Sequence, residues 1–425
     1  MQRRHSHGDK EFNAETLALG YGYDPALSQG AVKPPVFLTS TFQFASAAEG
    51  KRFFELAYGL RQPDPGEEAG LIYSRINNPN LEIFEHRIAA WDRTEVGATF
   101  ASGMAAIATA AFALLRPGDA VISTAPVYGG THHLFQHILP EWGVEVRFVH
   151  AGDTAPAAMA QAARELGGER VRLLFVETPA NPSNVHTDIA AVAALARELG
   201  AAHGRPVCTA VDNTLLGPVF QRPAPLGADL VLYSATKFLG GHSDLVAGVA
   251  TGSRALMRPI LERRAFFGTM TNPFTGWLLL RSLETVSIRM RRQAKNARAL
   301  AQLLAEHPRV TKVLFPGLLR SEDPQHALWQ RQCTGTGSMI AFEVEGGEEA
   351  AFAVLDRFEV CRLAVSLGGT ESLVEHPRTM THSDVPPEEN ERSGVTPGLI
   401  RMSVGLEHLS DLRRDLTHAL GALGS

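Results

Sequence analysis

Val231-Leu-Tyr-Ser-Ala-Thr-Lys237, followed by Phe238-Leu-Gly-Gly-His242, is the stretch on which the reading of this chain turns. A short apolar run ends in two hydroxyls, Ser234 and Thr236, and then a lysine. A lysine at the end of a buried strand is costly to desolvate unless it finds a partner or gives up its proton. Deprotonated, it is a nucleophilic amine able to form a Schiff base with an aldehyde. The two hydroxyls, one and three positions earlier, read as donors to a phosphate. The same text also fits a snorkelling strand-end lysine beside a Ser/Thr turn.

A second run lies twenty-five residues upstream of Lys237. Val207-Cys-Thr-Ala-Val211 reads as a buried strand that delivers Asp212-Asn213-Thr214 at its end. Asp-Asn is a common turn start. It also supplies a carboxylate able to keep a pyridinium nitrogen protonated, and a lysine with an acidic partner is the arrangement pyridoxal phosphate (PLP) requires.

Composition bounds the rest. At 425 residues, 44% hydrophobic and 20% charged, the chain reads as a globular protein of two to three domains. A net charge of −5 gives no electrostatic case for nucleic acid. Cys208, Cys333 and Cys361 are widely spaced without a CxxC, which argues against a disulfide framework or zinc ribbon. Metal readings fail as well: there is no HExxH, and His132 and His133 are adjacent rather than one helical turn apart. No apolar run reaches membrane-spanning length, and Met1–Asp9 carries basic residues without an apolar core. The expectation is a soluble cytoplasmic protein acting on a small molecule, with no nucleic-acid or membrane partner.

Along the chain, residues 1–75 lack helical periodicity, and 61–70 read as a Pro/Gly loop. Such a segment has too little core to stand alone and is expected to wrap another surface. Residues 76–265 alternate short strands (120–123, 146–149, 171–176, 207–211, 229–233) with helical segments such as 105–115 and 189–199, the pattern of a parallel βαβ sheet. In such sheets chemistry gathers beyond the carboxyl ends of the strands, where Glu177, Asp212 and Lys237 fall. Residues 266–425 form a second region. A long helix is expected over 279–304, with Arg289, Arg291, Arg292 and Lys295 on a solvated or subunit-facing side. Strands at 338–344 and 400–404 and a closing helix at 411–423 follow.

Further motifs complete the pattern: Tyr73-Ser-Arg75, Ala101-Ser-Gly103-Met104, Tyr128-Gly-Gly130, Glu177-Thr-Pro-Ala-Asn181-Pro, Val365-Ser366-Leu-Gly-Gly and Ile400-Arg401. In this order, over about 17–420, they resemble the Cys/Met-metabolism (trans-sulfuration) family of PLP-dependent enzymes. The resemblance implies an α/β chain of PLP fold type I, aspartate-aminotransferase-like. Its large domain (76–265) would hold a mainly parallel seven-stranded sheet, beside a smaller α+β C-terminal domain (266–425). It implies that Lys237 carries the cofactor and Asp212 meets the pyridinium nitrogen. Gly103, Met104, Ser234 and Thr236 would cradle the phosphate, the first two from a helix N-terminus. Tyr128 would stack on the ring and relay protons, and Asn181 would approach the 3′-oxygen. Tyr73 and Arg75 would reach the neighbouring subunit's site from the 1–75 arm, making a homo-oligomer, a tetramer of site-sharing dimers. Arg401, costly in an apolar strand without an anion, would clamp the substrate α-carboxylate, with Ser366 assisting.

Within the family the text is most similar to methionine γ-lyases. The activity implied is α,γ-elimination of methionine or a related sulfur amino acid to a thiol, ammonia and 2-oxobutanoate. Val365 stands where cystathionine enzymes carry Glu, and its apolar side chain suits a short thioether. Gly130, where those lyases carry Cys, Phe266-Phe267, where they carry Lys-Asp, and an insertion at 51–70 depart from the pattern. The alternatives are γ-replacement, by a cystathionine γ-synthase or O-acylhomoserine sulfhydrylase; a cystathionine γ-lyase; and, from another class, a non-catalytic PLP-fold binding protein.

Overall fold

A computed structural model of the chain describes residues 6–7, 10–65, 67, 70–383 and 385–423. Most of the Met1–Asp9 stretch, and residues 66, 68 and 69 of the 51–70 insertion, lie outside these.

Seven strands build the main sheet: β1 (Val96–Phe100), β2 (Ala120–Ala125), β3 (Glu145–His150), β4 (Val171–Glu177), β5 (Cys208–Asp212), β6 (Leu230–Ser234) and β7 (Gly248–Gly252). Their order is β1-β7-β6-β5-β4-β2-β3. Pairs among β2 to β6 are parallel, while β7 runs antiparallel to β6 and β1. The central strands are buried along their whole length, as a sheet covered on both faces requires. Alternation along β4 shows the two layers. Leu173 and Phe175 share a core with Ile107 and Ala110 of helix Gly103–Leu114, whereas Leu174 and Val176 pack with Met159 and Val192 of the opposite helices.

A second sheet is formed by β8 (Val310–Leu314), β9 (Met339–Val344), β10 (Arg362–Leu363), β11 (Leu373–Glu375) and β12 (Leu399–Ser403), in the order β8-β9-β12-β11-β10. Only its β10–β11 edge is parallel. Ile340, Phe342, Ile400 and Met402 pack there against Leu300, Leu412 and Leu416.

The mainly parallel sheet agrees with the sequence reading; several details do not. The helix expected over 279–304 is two helices, Pro273–Leu283 and Val286–Glu306, interrupted at Glu284-Thr285. Arg289 is not on a solvated face. It is 5% exposed and donates to the carbonyls of Phe238, Leu239 and Ser282 at 2.9, 3.4 and 3.0 Å. The residues directly after Lys237 have backbone oxygens that no regular element satisfies, and a buried guanidinium satisfies them instead. Arg291, Arg292 and Lys295 are exposed as expected. The arm is not wholly irregular, since Ala14–Gly20 and Ala47–Ala57 are helices. Ser46 caps the second by accepting from Glu49 N, a cap signature overlooked in a Gly/Ser/Phe-rich segment. Helix Arg254–Phe267 runs through position 265, and Leu279, Leu283 and Met290 share a core with Phe84 and Tyr233.

Candidate active site

The carboxyl ends of β4, β5 and β6 deliver the chemistry. Glu177 and Asp212 are register partners on β4 and β5, and both are buried. Glu177 accepts the Tyr128 N–H at 2.8 Å and the Asn181 N–H at 3.1 Å. Asp212 accepts the Thr214 hydroxyl and N–H at 2.6 and 3.0 Å. Burial pushes both carboxyls up, and for Glu177 the neighbouring Asp212 adds to it. Two adjacent buried acids with so few donors call for a cationic or proton-bearing group between strand ends. A protonated ring nitrogen has that chemistry. Thr214 ties this pair to the lysine strand, since its hydroxyl also accepts the Ser234 N–H at 2.8 Å.

Beyond β6 the chain turns, and Lys237 is held mostly buried. Burial lowers its pKa to about 8, with Arg401 adding to the depression and Glu375 opposing it. Its Nζ donates to Ser366 Oγ at 2.7 Å. Ser366 has φ 93°, a left-handed value that a side chain tolerates only under constraint, so strain sits at the contact with the lysine. The Ser366 carbonyl accepts from Arg401 Nη2 at 2.8 Å, and Asn181 Oδ1 accepts from Nη1 at 3.3 Å. Arg401 is buried on β12 and forms an ion pair with Glu375 at 2.8 Å. One connected set therefore joins Lys237, Ser366, Arg401, Asn181 and Glu375 across the two sheets.

A cup lies beside this set. Ser102 caps the helix Gly103–Leu114 by accepting from Ala105 N, leaving the first N–H groups of the helix free of intrahelical partners. A Cβ on Gly103 would sit 2.9 Å from Ser234 Cβ, so only glycine lets the helix start approach the β6 end. Thr236 is partly committed, its hydroxyl donating to the Ala247 carbonyl and accepting the Ala247 N–H. The Tyr128 ring is half-exposed and lies against Gly130, where an added Cβ would be 2.7 Å from Tyr128 Cε1 and 2.9 Å from Met104 Sδ. A buried amine, an acid pair and a glycine-lined helix start beside a serine fit an aldehyde, a pyridine nitrogen and a phosphate.

The family model for Cys/Met metabolism PLP-dependent enzymes matches residues 15–421. The chain belongs to that family. An L-methionine gamma-lyase of Pseudomonas putida is 41% identical over 411 residues, covering 96% of this chain and 97% of that one. A cystathionine beta-lyase of Coxiella burnetii is 36% identical over 418 residues, covering 98% and 100%. Among solved structures, cystathionine gamma synthase from Xanthomonas oryzae pv. oryzae in complex with cystathionine aligns with a TM-score of 0.86 at 34% identity, covering 97% of this chain and 99% of that one. As a Cys/Met-metabolism enzyme of fold type I, the chain uses PLP.

Three sequence candidates stand apart from the set. Arg75 donates to the Ala265 carbonyl, its guanidinium 5.9 Å from the Tyr73 ring, and both residues are exposed. Val365 is also exposed. Glu375 and Thr214 were missed. Thr214 follows directly in the quoted Asp-Asn-Thr run, but a carboxylate opposite Arg401 becomes visible only once β11 is paired with β12. The described residues contain no cluster of three metal-ligating side chains and no helix long and apolar enough to cross a membrane.

Proposed function

We propose that this enzyme is a carbon–sulfur lyase that carries out α,γ-elimination on L-methionine or a related sulfur amino acid, giving a thiol, ammonia and 2-oxobutanoate. The observation that carries the reading is Lys237 Nζ on Ser366, one residue from Arg401 through the Ser366 carbonyl. A depressed amine next to a held guanidinium supports reading Arg401 as the receptor for a substrate carboxylate. The L-methionine gamma-lyases among its relatives support the choice of substrate.

Lys237 would hold the cofactor, Gly103, Met104, Ser234 and Thr236 its phosphate, Asp212 its ring nitrogen, Asn181 its 3′-oxygen and Tyr128 one face. Bound there, PLP supplies an electron sink for the pair released at Cα. Arg401 binds the substrate carboxylate through its guanidinium fork, and the Ser366 backbone fixes that fork. Orientation by these two contacts puts the Cα–H bond near Lys237 Nζ. A lysine with pKa about 8 is neutral often enough near neutrality to take that proton. Once Nζ has handed that proton on, it is a free amine again and would take a second proton from Cβ, while the Tyr128 hydroxyl would protonate the departing sulfur and recover its proton from solvent, to which it is exposed. Val365 presents no charge to the distal end of the substrate, which suits a methyl thioether better than a tail ending in an ammonium.

The same reading takes residues 1–75 as an arm to a neighbouring subunit, 76–265 as the cofactor domain and 266–425 as the carboxylate-binding domain. Tyr73 and Arg75, exposed and making none of the contacts of their own Lys237 set, are the residues offered to that neighbour, in a homotetramer. Three buried free cysteines suit a reducing cytoplasm. A substrate panel tests the activity: methionine, cystathionine, O-acetyl- and O-succinylhomoserine, with and without a thiol, scored by 2-oxobutanoate. Methionine alone is expected to give the most 2-oxobutanoate. Acylhomoserine plus thiol consumed far faster than methionine is cleaved would replace elimination by γ-replacement.

A further inference from the structure

Glu375 is the direct cross-strand partner of Arg401 in the β11–β12 pair. Partners opposite one another leave a sheet on the same face, so strand register alone brings the two side chains together. Glu375 is fully buried. Its Oε1 is 2.8 Å from Arg401 Nη1 and accepts the Thr381 hydroxyl at 2.9 Å. Its Oε2 is buried with no hydrogen-bond partner. An ionised carboxylate has room for about four hydrogen bonds, so an anion with one bare oxygen is poorly solvated by this site. Burial pushes the carboxyl up, against the pull of Arg401, Thr381, Lys237 and His376. The groups facing it are therefore Arg401 from β12, Lys237 from the turn after β6 and His376 next in its own chain. His382 stands behind Thr381, its Nδ1 3.0 Å from that hydroxyl.

A substrate carboxylate arriving at Arg401 brings a second anion into a buried space that already holds one. Two carboxylates around one guanidinium away from water do not both stay ionised cheaply. We propose that Glu375 is a positioning residue that holds Arg401 in its receiving orientation and takes up one proton from solvent, at Oε2, when the substrate carboxylate binds. The exchange balances. A buffer acid gives up the proton, an O–H bond forms on Glu375, and Arg401 stays charged while trading one carboxylate for another. Net charge in the site is unchanged.

A pH dependence follows. Where Glu375 is already protonated in the free site, affinity for a carboxylate is at its full value. As pH rises past that titration, affinity falls about tenfold per pH unit, because each binding event must draw a proton from solution. The inference rests on Arg401 as the carboxylate clamp, and its test separates the two.

The holoenzyme is titrated with 4-(methylthio)butanoate, which has the carboxylate and thioether of methionine but no amine. Calorimetry in two buffers of different ionisation enthalpy counts protons taken up, and visible absorbance of the cofactor reports separately on the Lys237 nitrogen. Wild type is expected to take up a proton beyond any seen at Lys237. E375Q is expected to lose that uptake, bind with nearly pH-independent affinity, and lose the pH dependence of KM while kcat stays within a few-fold. E375D, which keeps the acid, is expected to regain it. Thr381→Val, which removes a donor to the anion, is expected to move the uptake to higher pH. If R401K weakens the probe while E375Q takes up as many protons as wild type, the role of Glu375 is overturned and the clamp stands. If R401K leaves probe binding unchanged, the clamp falls and the inference with it. Should E375Q fail to fold, an unmoved uptake in T381V overturns the proposal.

Discussion

Arg289→Met tests how the lysine-bearing turn is held in place. The substitution keeps the bulk and removes the donors to Phe238, Leu239 and Ser282 carbonyls. The Ser282 carbonyl keeps the Thr285 N–H and hydroxyl, whereas those of Phe238 and Leu239 lose their donor; a buried acceptor left unsatisfied costs about 1–3 kcal/mol, so the two cost roughly 4 kcal/mol. Removing a guanidinium that burial depresses to about 10 relieves roughly 3 kcal/mol of desolvation. The balance is a loss of about 1 kcal/mol, concentrated on the two residues after Lys237. The assay is urea unfolding at one fixed protein concentration, paired with the rate at which cofactor absorbance is lost to dialysis. Arg292→Met on the same helix is the control, because Arg292 is exposed and surface changes of this kind stay within about 0.5 kcal/mol. R289M is expected to unfold at clearly lower urea and to lose cofactor faster than R292M. Equal midpoints for the two variants would refute the view that this buried arginine secures the turn.

Three other outcomes follow. Capture of PLP by the apo-protein is expected to speed up as pH rises and to level off above about 8, because only the neutral Lys237 amine attacks an aldehyde and its pKa is lowered to about 8; stopped-flow absorbance reads this, and a rate still climbing steeply at pH 10 would contradict it. Mixing R75A with K237A, each inactive, is expected to restore partial activity through hybrid dimers once subunit exchange has been verified by mass, and exchange without recovery would count against the arm. Val365→Glu is expected to raise kcat/KM for cystathionine relative to methionine. Because Val365 is 57% exposed, the new ion pair is worth about 1 kcal/mol or less, a shift of at most several-fold; no change would remove Val365 from the specificity argument.

What the sequence disclosed and what it withheld divide along physical lines. The strand ends carrying Asp212 and Lys237 were legible because apolar runs stop abruptly at chemically distinctive residues. The outer strands β1 and β7 were not, since Val96–Phe100 and Gly248–Gly252 contain three and four small or hydroxyl residues in five and lack a strong apolar run. Arg289 looked solvated because its helix also carries Arg291, Arg292 and Lys295, and periodicity cannot say which arginine finds orphan carbonyls. Glu375 was invisible for a similar reason: its partner Arg401 lies 26 positions further on, and only antiparallel register joins them. Arg401 itself was legible, because a charge inside an apolar strand demands an anion. The structure supplied a resident one in Glu375.

The most direct measurement on the central claim is chemical. Borohydride reduction of the holoenzyme, tryptic digestion and mass mapping should place a single pyridoxyl label on Lys237, within the peptide that begins at Glu198, since Arg205 and Arg222 each precede proline, and runs through the modified lysine to Arg254. A label on any other lysine, or reduction that leaves Lys237 unmodified in protein that retains its cofactor, would contradict the account.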